Sequence, residues 1–352
     1  MKLCRLTELK EGDRLARAVV SSDYRLLLPG KTVMTKDYIV KLSEFGVLEV
    51  YIYEGDYQLD EATELLVKDE VSVIFHEKVK SIMDKHVYSR NEKLQELTAA
   101  ADEIIRNVME EKDVIDHVYE MRERSADLYE HCISICTLAT LVSLKLRLDK
   151  KTIRDISIAC LLHDIGLRYM FFDVIGRNAE DLNAVEYSEY TKHPIYGYTS
   201  LKDETWISDV GKSIILYHHE HIDGSGFPLK MKESPLEAQI VTVCDVFDEM
   251  MCGICQKRRK VHEAIDYLRE HRSVQYNEII VNILLEFLAF YPIGTIVVTN
   301  VNETGIVVRQ NRGFSDRPVI RIIKEEDGTP ASGDKIIDLK KDKKLDIIKV
   351  IE

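Results

Sequence analysis

No stretch of this 352-residue chain approaches 18 uninterrupted apolar residues, so no membrane-spanning helix is expected. The start, Met1 to Glu11, carries charges throughout and no apolar core, so no secretory signal is read there. Together these give a cytoplasmic expectation. Basic charge is also short: 48 Lys and Arg face 61 Asp and Glu, a formal net charge of −13, which disfavours DNA or RNA as a general partner. A small anionic substrate stays compatible, because a bound cation would dominate the local field. The seven cysteines are odd in number and scattered among apolar neighbours, as expected of reduced, buried thiols. Cys252-Gly253-Ile254-Cys255 spells CxxC, but there is no second CxxC and no βαβ pattern around it, so a redox or metal pair is disfavoured.

What the chain does have is a run of ionisable residues where a helix must stop. His218 to Pro228 reads HHEHIDGSGFP, and Gly224, Gly226 and Pro228 cannot continue the helix carrying Ile214, Ile215 and Tyr217. An isolated histidine pair is more often solvated than ligating, but here partners exist upstream and downstream. His131, the doublet His163-Asp164, His193 and Asp245 lie in or beside apolar segments. A histidine and a carboxylate at the end of a buried helix are costly unless paired or metal-bound. Thiolates are absent from the set, so imidazole and carboxylate ligands point to iron, manganese or a catalytic zinc.

The order His131, His163-Asp164, His193, His218-His219, Asp245 resembles the HD superfamily of metal-dependent phosphohydrolases, and HHEHIDGSGFP resembles the HHExxDGxGYP pattern of its HD-GYP branch, with Phe227 for tyrosine. The resemblance covers roughly residues 120 to 290. It implies an all-helical bundle, two or three divalent ions (Fe or Mn), and hydrolysis of cyclic di-GMP. Carried over by position, His131, His163, Asp164, His193, His218, His219 and Asp245 are the implied metal ligands, with Asp164 and His163 at the catalytic heart. Asp127, one helical turn before His131, reads either as a third-metal ligand or as a solvated first-turn carboxylate favouring the helix dipole. Gly226, Phe227 and Lys257 are expected at the substrate, and Glu220 and Asp223 as outer-shell carboxylates orienting the ligands.

The chain departs from the family pattern where a phosphate would be held. Leu167 stands for the usual lysine, Gln239 for an arginine, and Ile254-Cys255-Gln256-Lys257 for Arg-Pro-Tyr-Arg. Three alternatives therefore stand beside the phosphodiesterase: a silent metal-stabilised nucleotide sensor or scaffold, a hydrolase of another cyclic dinucleotide or phosphoester, and a di-iron oxygenase. If two adjacent cations are present, they can deprotonate a water and neutralise phosphodiester charge, so no protein nucleophile is needed.

The expected fold class is mainly α: an HD-type bundle flanked by a small N-terminal α+β module and a small C-terminal β module. Residues 1–55 show short strands around Leu15–Ser21, Arg25–Leu28 and Val47–Tyr53, with a helix capped by Thr35. Residues 56–123 form a helical connector, Gly- and Pro-free from Leu59 to Glu123, with apolar residues such as Val71, Ile74, Phe75 and Ile82 at helical spacing and a break near Tyr88 to Asn91. The catalytic region spans 124–291; within it Tyr169, Phe171 and Phe172 either roof the site or pack in the core. Residues 292–352 carry β-branched runs at Thr295–Thr299, Gly305–Arg309, Val319–Ile323 and Lys335–Leu339. A homodimer or a signalling partner through the outer modules is the partner expectation beyond a cyclic dinucleotide.

Overall fold

A short run of apolar residues ended by a capping side chain recurs along the chain and sets its helices. The structure, a computed structural model, describes residues 2–15, 19–20, 26–28, 32–44, 47, 49–52, 94–110 and 127–351 except 312, 332 and 334. The helices expected over Val71 to Ile82, and the break at Tyr88 to Asn91, lie outside the described residues. The chain divides into two compact units, 1–100 and 101–352.

In the first unit, β1 (Lys2–Arg5) and β4 (Glu49–Ile52) pair antiparallel, as do β2 (Val19–Val20) and β3 (Leu26–Leu28). Helix α1 (Lys36–Glu44) starts where the Thr35 hydroxyl accepts the Tyr38 N–H at 3.3 Å, the cap read from sequence. Leu6, Leu15, Met34, Leu42 and Val50 form its core. The α+β character of this segment is as expected.

The second unit is a helical bundle followed by a sheet. Its helices are α2 (Leu97–Glu110, at the boundary of the units), α3 (Leu128–Lys145), α4 (Lys150–Cys160), α5 (Ala184–Tyr190), α6 (His193–Leu201), α7 (Asp209–Tyr217), α8 (Leu236–Cys252), α9 (Val261–His271) and α10 (Glu278–Glu286). Side chains cap most of them: Asp149 for α4, Asn183 with Glu186 for α5, Ser208 for α7, Asn277 for α10. Helix α8 is central, buried from Ile240 to Cys252 and packed on α3, α7, α9 and α10. It stops at Gly253, whose φ of +77° is the left-handed cap that glycine adopts without cost. Among the described residues no helix is long and apolar enough to cross a membrane.

Strands β5 (Ile296–Thr299), β6 (Thr304–Arg309), β7 (Val319–Lys324), β8 (Ile336–Asp338) and β9 (Ile347–Ile351) make one antiparallel sheet, ordered β8-β7-β6-β5-β9. Four were expected. The fifth, β9, returns the chain to β5 with Ile296 opposite Ile351.

Candidate metal centre

Where helices end, their last carbonyls lack intrahelical donors, and here imidazoles supply them. The Nδ1–H of His163 donates to the Cys160 carbonyl at the end of α4 (2.8 Å), that of His193 to Tyr190 at the end of α5 (2.7 Å), and that of His218 to Ile215 in the last turn of α7 (2.9 Å). Each ring is thereby held in the tautomer whose Nε2 keeps its lone pair. His131, within α3, is fixed otherwise: its Nδ1 lies 2.7 Å from Asp248 Oδ2, and Ser134 Oγ donates to the other Asp248 oxygen at 2.6 Å.

The Nε2 atoms converge on two carboxylates, with His193 Nε2 and His218 Nε2 lying 3.2 Å apart. His131 Nε2 lies 3.1 Å and His163 Nε2 3.6 Å from Asp245 Oδ1; the same two lie 3.7 and 3.4 Å from Asp164 Oδ2. Asp164 Oδ1 faces the other side, 3.2 Å from His193 Nε2 and 3.6 Å from His218 Nε2, while Asp245 Oδ2 faces His219 Nδ1 at 3.5 Å. His131, His163, His193 and His218 are fully buried and Asp164 and Asp245 nearly so. Despite these short separations His131 Nε2, His163 Nε2 and Asp245 Oδ1 have no hydrogen-bond partner. Buried polar atoms left unpaired are costly, and their lone pairs aim at common points rather than at each other. Two groups result, His131–His163–Asp245 and Asp164–His193–His218–His219, each with its ligand atoms within 4.8 Å of one another. Imidazole and carboxylate donors without thiolate fit divalent cations.

The electrostatics agree with that fit. Burial would raise the Asp164 carboxyl, but His163, His193 and His218 hold it well below the usual carboxylate range. Burial would lower His131 and His163; carboxylates, Asp245 and Asp248 for the first, Asp164 and Asp245 for the second, raise both well above the usual imidazole value. Burial, then the neighbouring His218, pushes His219 well below it. Without a cation the site must carry protons to balance its carboxylates, and metal entry would release them.

Of the eight expected ligands, seven meet here. Asp127 does not join them: its Oδ1 caps α3, accepting the N–H groups of Tyr129 and Glu130 at 3.0 Å each. The two glycines nearest the ligands are steric requirements. A Cβ at Gly166 would lie 1.9 Å from the His193 carbonyl oxygen, so this glycine lets the 3-10 turn after Asp164 press against the start of α6. A Cβ at Gly226 would lie 2.3 Å from the His219 carbonyl oxygen, so Gly226 lets the loop fold onto the histidine pair.

The family profile described as "HD domain" matches residues 112–279, and one described as "KOW domain associated with HD domain" matches residues 296–352. Residues 112–279, just under half of the chain, are thus similar to HD domains. A cyclic di-GMP phosphodiesterase of Pseudomonas aeruginosa is 27% identical over 213 residues, 60% of this chain and 51% of that protein. A cyclic di-GMP phosphodiesterase response regulator of Xanthomonas campestris is 31% identical over 195 residues, 54% of this chain and 51% of that one. The chain thus spans about half the length of these curated relatives. A solved HDG"Y"P protein from Bdellovibrio bacteriovorus has the same fold, with a TM-score of 0.55 at 16% identity over 80% of this chain and 97% of its own.

Around the HD doublet the rim differs from expectation. The buried carboxylate Glu220 accepts the N–H groups of Leu229 (2.6 Å) and Met231 (2.7 Å), so it clamps the loop rather than a ligand ring. Asp223 makes a surface turn with Ser225 N–H at 2.8 Å. Neither orients an imidazole. The outer-shell carboxylate is Asp248, which sequence reading missed although it follows Asp245 by three residues on α8. Phe227 lies against the imidazole of His219, ring centres 4.5 Å apart, and beside Tyr190. Phe172 packs partly buried in the cluster around Val174, Leu182 and Tyr190, whereas Phe171 is 69% exposed. Lys257 is exposed and has no ion pair among the described residues.

Leu167, Gln239 and Ile254 are all committed to packing. Ile254 is buried in a cluster with Leu128 and Cys252, against which Leu167 packs. Gln239 donates to the Ser234 carbonyl and accepts from Asn277, tying the start of α8 to the cap of α10.

Proposed function

We propose that the chain is a metal-dependent phosphodiesterase acting on a cyclic dinucleotide, cyclic di-GMP first, giving the linear dinucleotide pGpG or GMP. The observation that carries this reading is Asp164, one oxygen toward His131 and His163 and the other toward His193 and His218. A pair of divalent cations, Fe or Mn on this ligand chemistry, supplies phosphate charge neutralisation and a water acidic enough to attack near neutral pH. His131, His163 and Asp245 would hold one ion and His193, His218 and His219 the other, with Asp164 offering an oxygen to each side. The carbonyls of Cys160, Tyr190 and Ile215 keep three rings oriented, so the geometry is set before substrate arrives. Phe227, against His219, would bound the substrate on one side, and the exposed Lys257 would meet a phosphate from solvent.

A second reading, a silent nucleotide sensor, is favoured by one observation: Leu167, Gln239 and Ile254 offer no cation to a phosphate. One experiment separates them. The protein, purified without oxygen and loaded with Mn²⁺ or Fe²⁺, is incubated with a panel of cyclic dinucleotides and the products are resolved by chromatography. Cleavage that a chelator abolishes and metal restores is expected. Saturable binding without cleavage would replace the hydrolase with the sensor, and oxygen consumption with an organic substrate would replace it with an oxygenase.

A further inference from the structure

Helix α8 buries three carboxylates within five residues, Asp245, Asp248 and Glu249. Asp248 is engaged by His131 and Ser134, and Asp245 faces three imidazoles. Glu249 lacks such company. It is 5% exposed, no lysine or arginine pairs with it among the described residues, and its one side-chain hydrogen bond there comes from the Tyr190 hydroxyl at 3.4 Å. A carboxylate withdrawn from water beside other carboxylates persists only if it is neutral, paired or bound to a cation.

The surroundings supply the third option. A nitrogen of His219, an oxygen of Asp245 and an oxygen of Glu249 lie within 4.8 Å of one another, the span a single ion can bridge. Asp245 can serve two positions at once, because Oδ1 faces His131 and His163 while Oδ2 faces His219. Glu249 follows Asp245 by four residues, so the helix itself sets the two side chains on one face.

We propose that His219, Asp245 and Glu249 form a third cation position beside the two central groups. It takes a divalent ion that accepts carboxylate oxygen with a single imidazole, Mn²⁺ being the natural probe. It differs from the position that the family resemblance would build on Asp127, whose Oδ1 is engaged in capping α3. The inference rests on the metal-dependent reading of the centre, since Asp245 is shared with it and His219, whose neutral imidazole has a single lone pair, would serve this ion in place of the Asp164–His193–His218 group.

The test is metal stoichiometry, not turnover. Full-length wild type, Glu249→Gln and Asp127→Ala are stripped, dialysed against Mn²⁺ and analysed for bound metal, and crystals of the loaded wild type are measured for anomalous scattering. Glutamine keeps the shape and the contact with Tyr190 but is a poor ligand. Expected are three equivalents in wild type and in Asp127→Ala, two in Glu249→Gln, and an anomalous peak at coordinating distance from Glu249. The proposal is overturned if Glu249→Gln binds as many ions as wild type, if Asp127→Ala is the variant that loses one, or if wild type binds two with no peak at Glu249. Wild type binding no metal would instead defeat the reading of the whole centre. If Glu249→Gln does not fold, the wild-type anomalous map decides alone.

Discussion

The ligand cluster and the rim around it have been treated differently by this sequence. At the cluster every buried imidazole has a fixed partner on one nitrogen and a lone pair on the other. At the rim, the positions where the family resemblance expects cations hold Leu167, Gln239 and Ile254, whose side chains go to apolar contacts or to a helix tie. The convergent lone pairs of the cluster and the uncharged side chains at these three rim positions are therefore separate features of this fold.

That contrast breaks most visibly at Asp164. Asp164→Ala removes the carboxylate that faces His131 and His163 with one oxygen and His193 and His218 with the other, so turnover of a cyclic dinucleotide is expected to vanish while far-ultraviolet circular dichroism is unchanged; persistent turnover would show that Asp164 is not needed. Asp248→Asn is the next largest effect. It removes the charge that fixes His131, and metal affinity is expected to fall by about 10- to 100-fold, measured by competition with a chromophoric chelator.

At the rim the prediction changes kind. Ile254→Ala, at a fully buried site, should destabilise by about 3 kcal/mol in denaturant unfolding and leave turnover per folded molecule within a factor of about two, because Ile254 supports packing rather than phosphate binding. A large loss of turnover with stability intact would place the rim in the chemistry. Lys257→Ala is the smallest: an exposed charge contributes up to about 1 kcal/mol, so KM should rise by no more than about fivefold with kcat unchanged.

Most of the cluster was legible because its members interrupt apolar runs at helix ends, where a buried polar residue needs a reason. Asp248 and Glu249 were not, although they stand three and four residues after Asp245, because Val246, Phe247, Met250 and Met251 around them read as core. Glu220 and Asp223 were given the wrong task since proximity in sequence does not fix direction: Glu220 turns toward the backbone of Leu229 and Met231. Asp127 is the N-cap of α3, just ahead of its first turn, with Oδ1 accepting helix N–H groups, a role that neither the ligand reading nor the solvated first-turn reading named. In the C-terminal module four strands were visible from their β-branched runs, while β9, following the charged run Lys340 to Lys344, was lost among polar neighbours although Ile347, Ile348, Val350 and Ile351 carry a strand's composition.

Everything turns on whether side chains distant in sequence cage cations. Anaerobically purified protein, digested and analysed by inductively coupled plasma mass spectrometry alongside His163→Ala, tests this directly. At least two equivalents of divalent metal per chain are expected in wild type, with a clear loss in the variant. Wild type that retains no iron, manganese or zinc, and takes up none on reconstitution, would contradict the account.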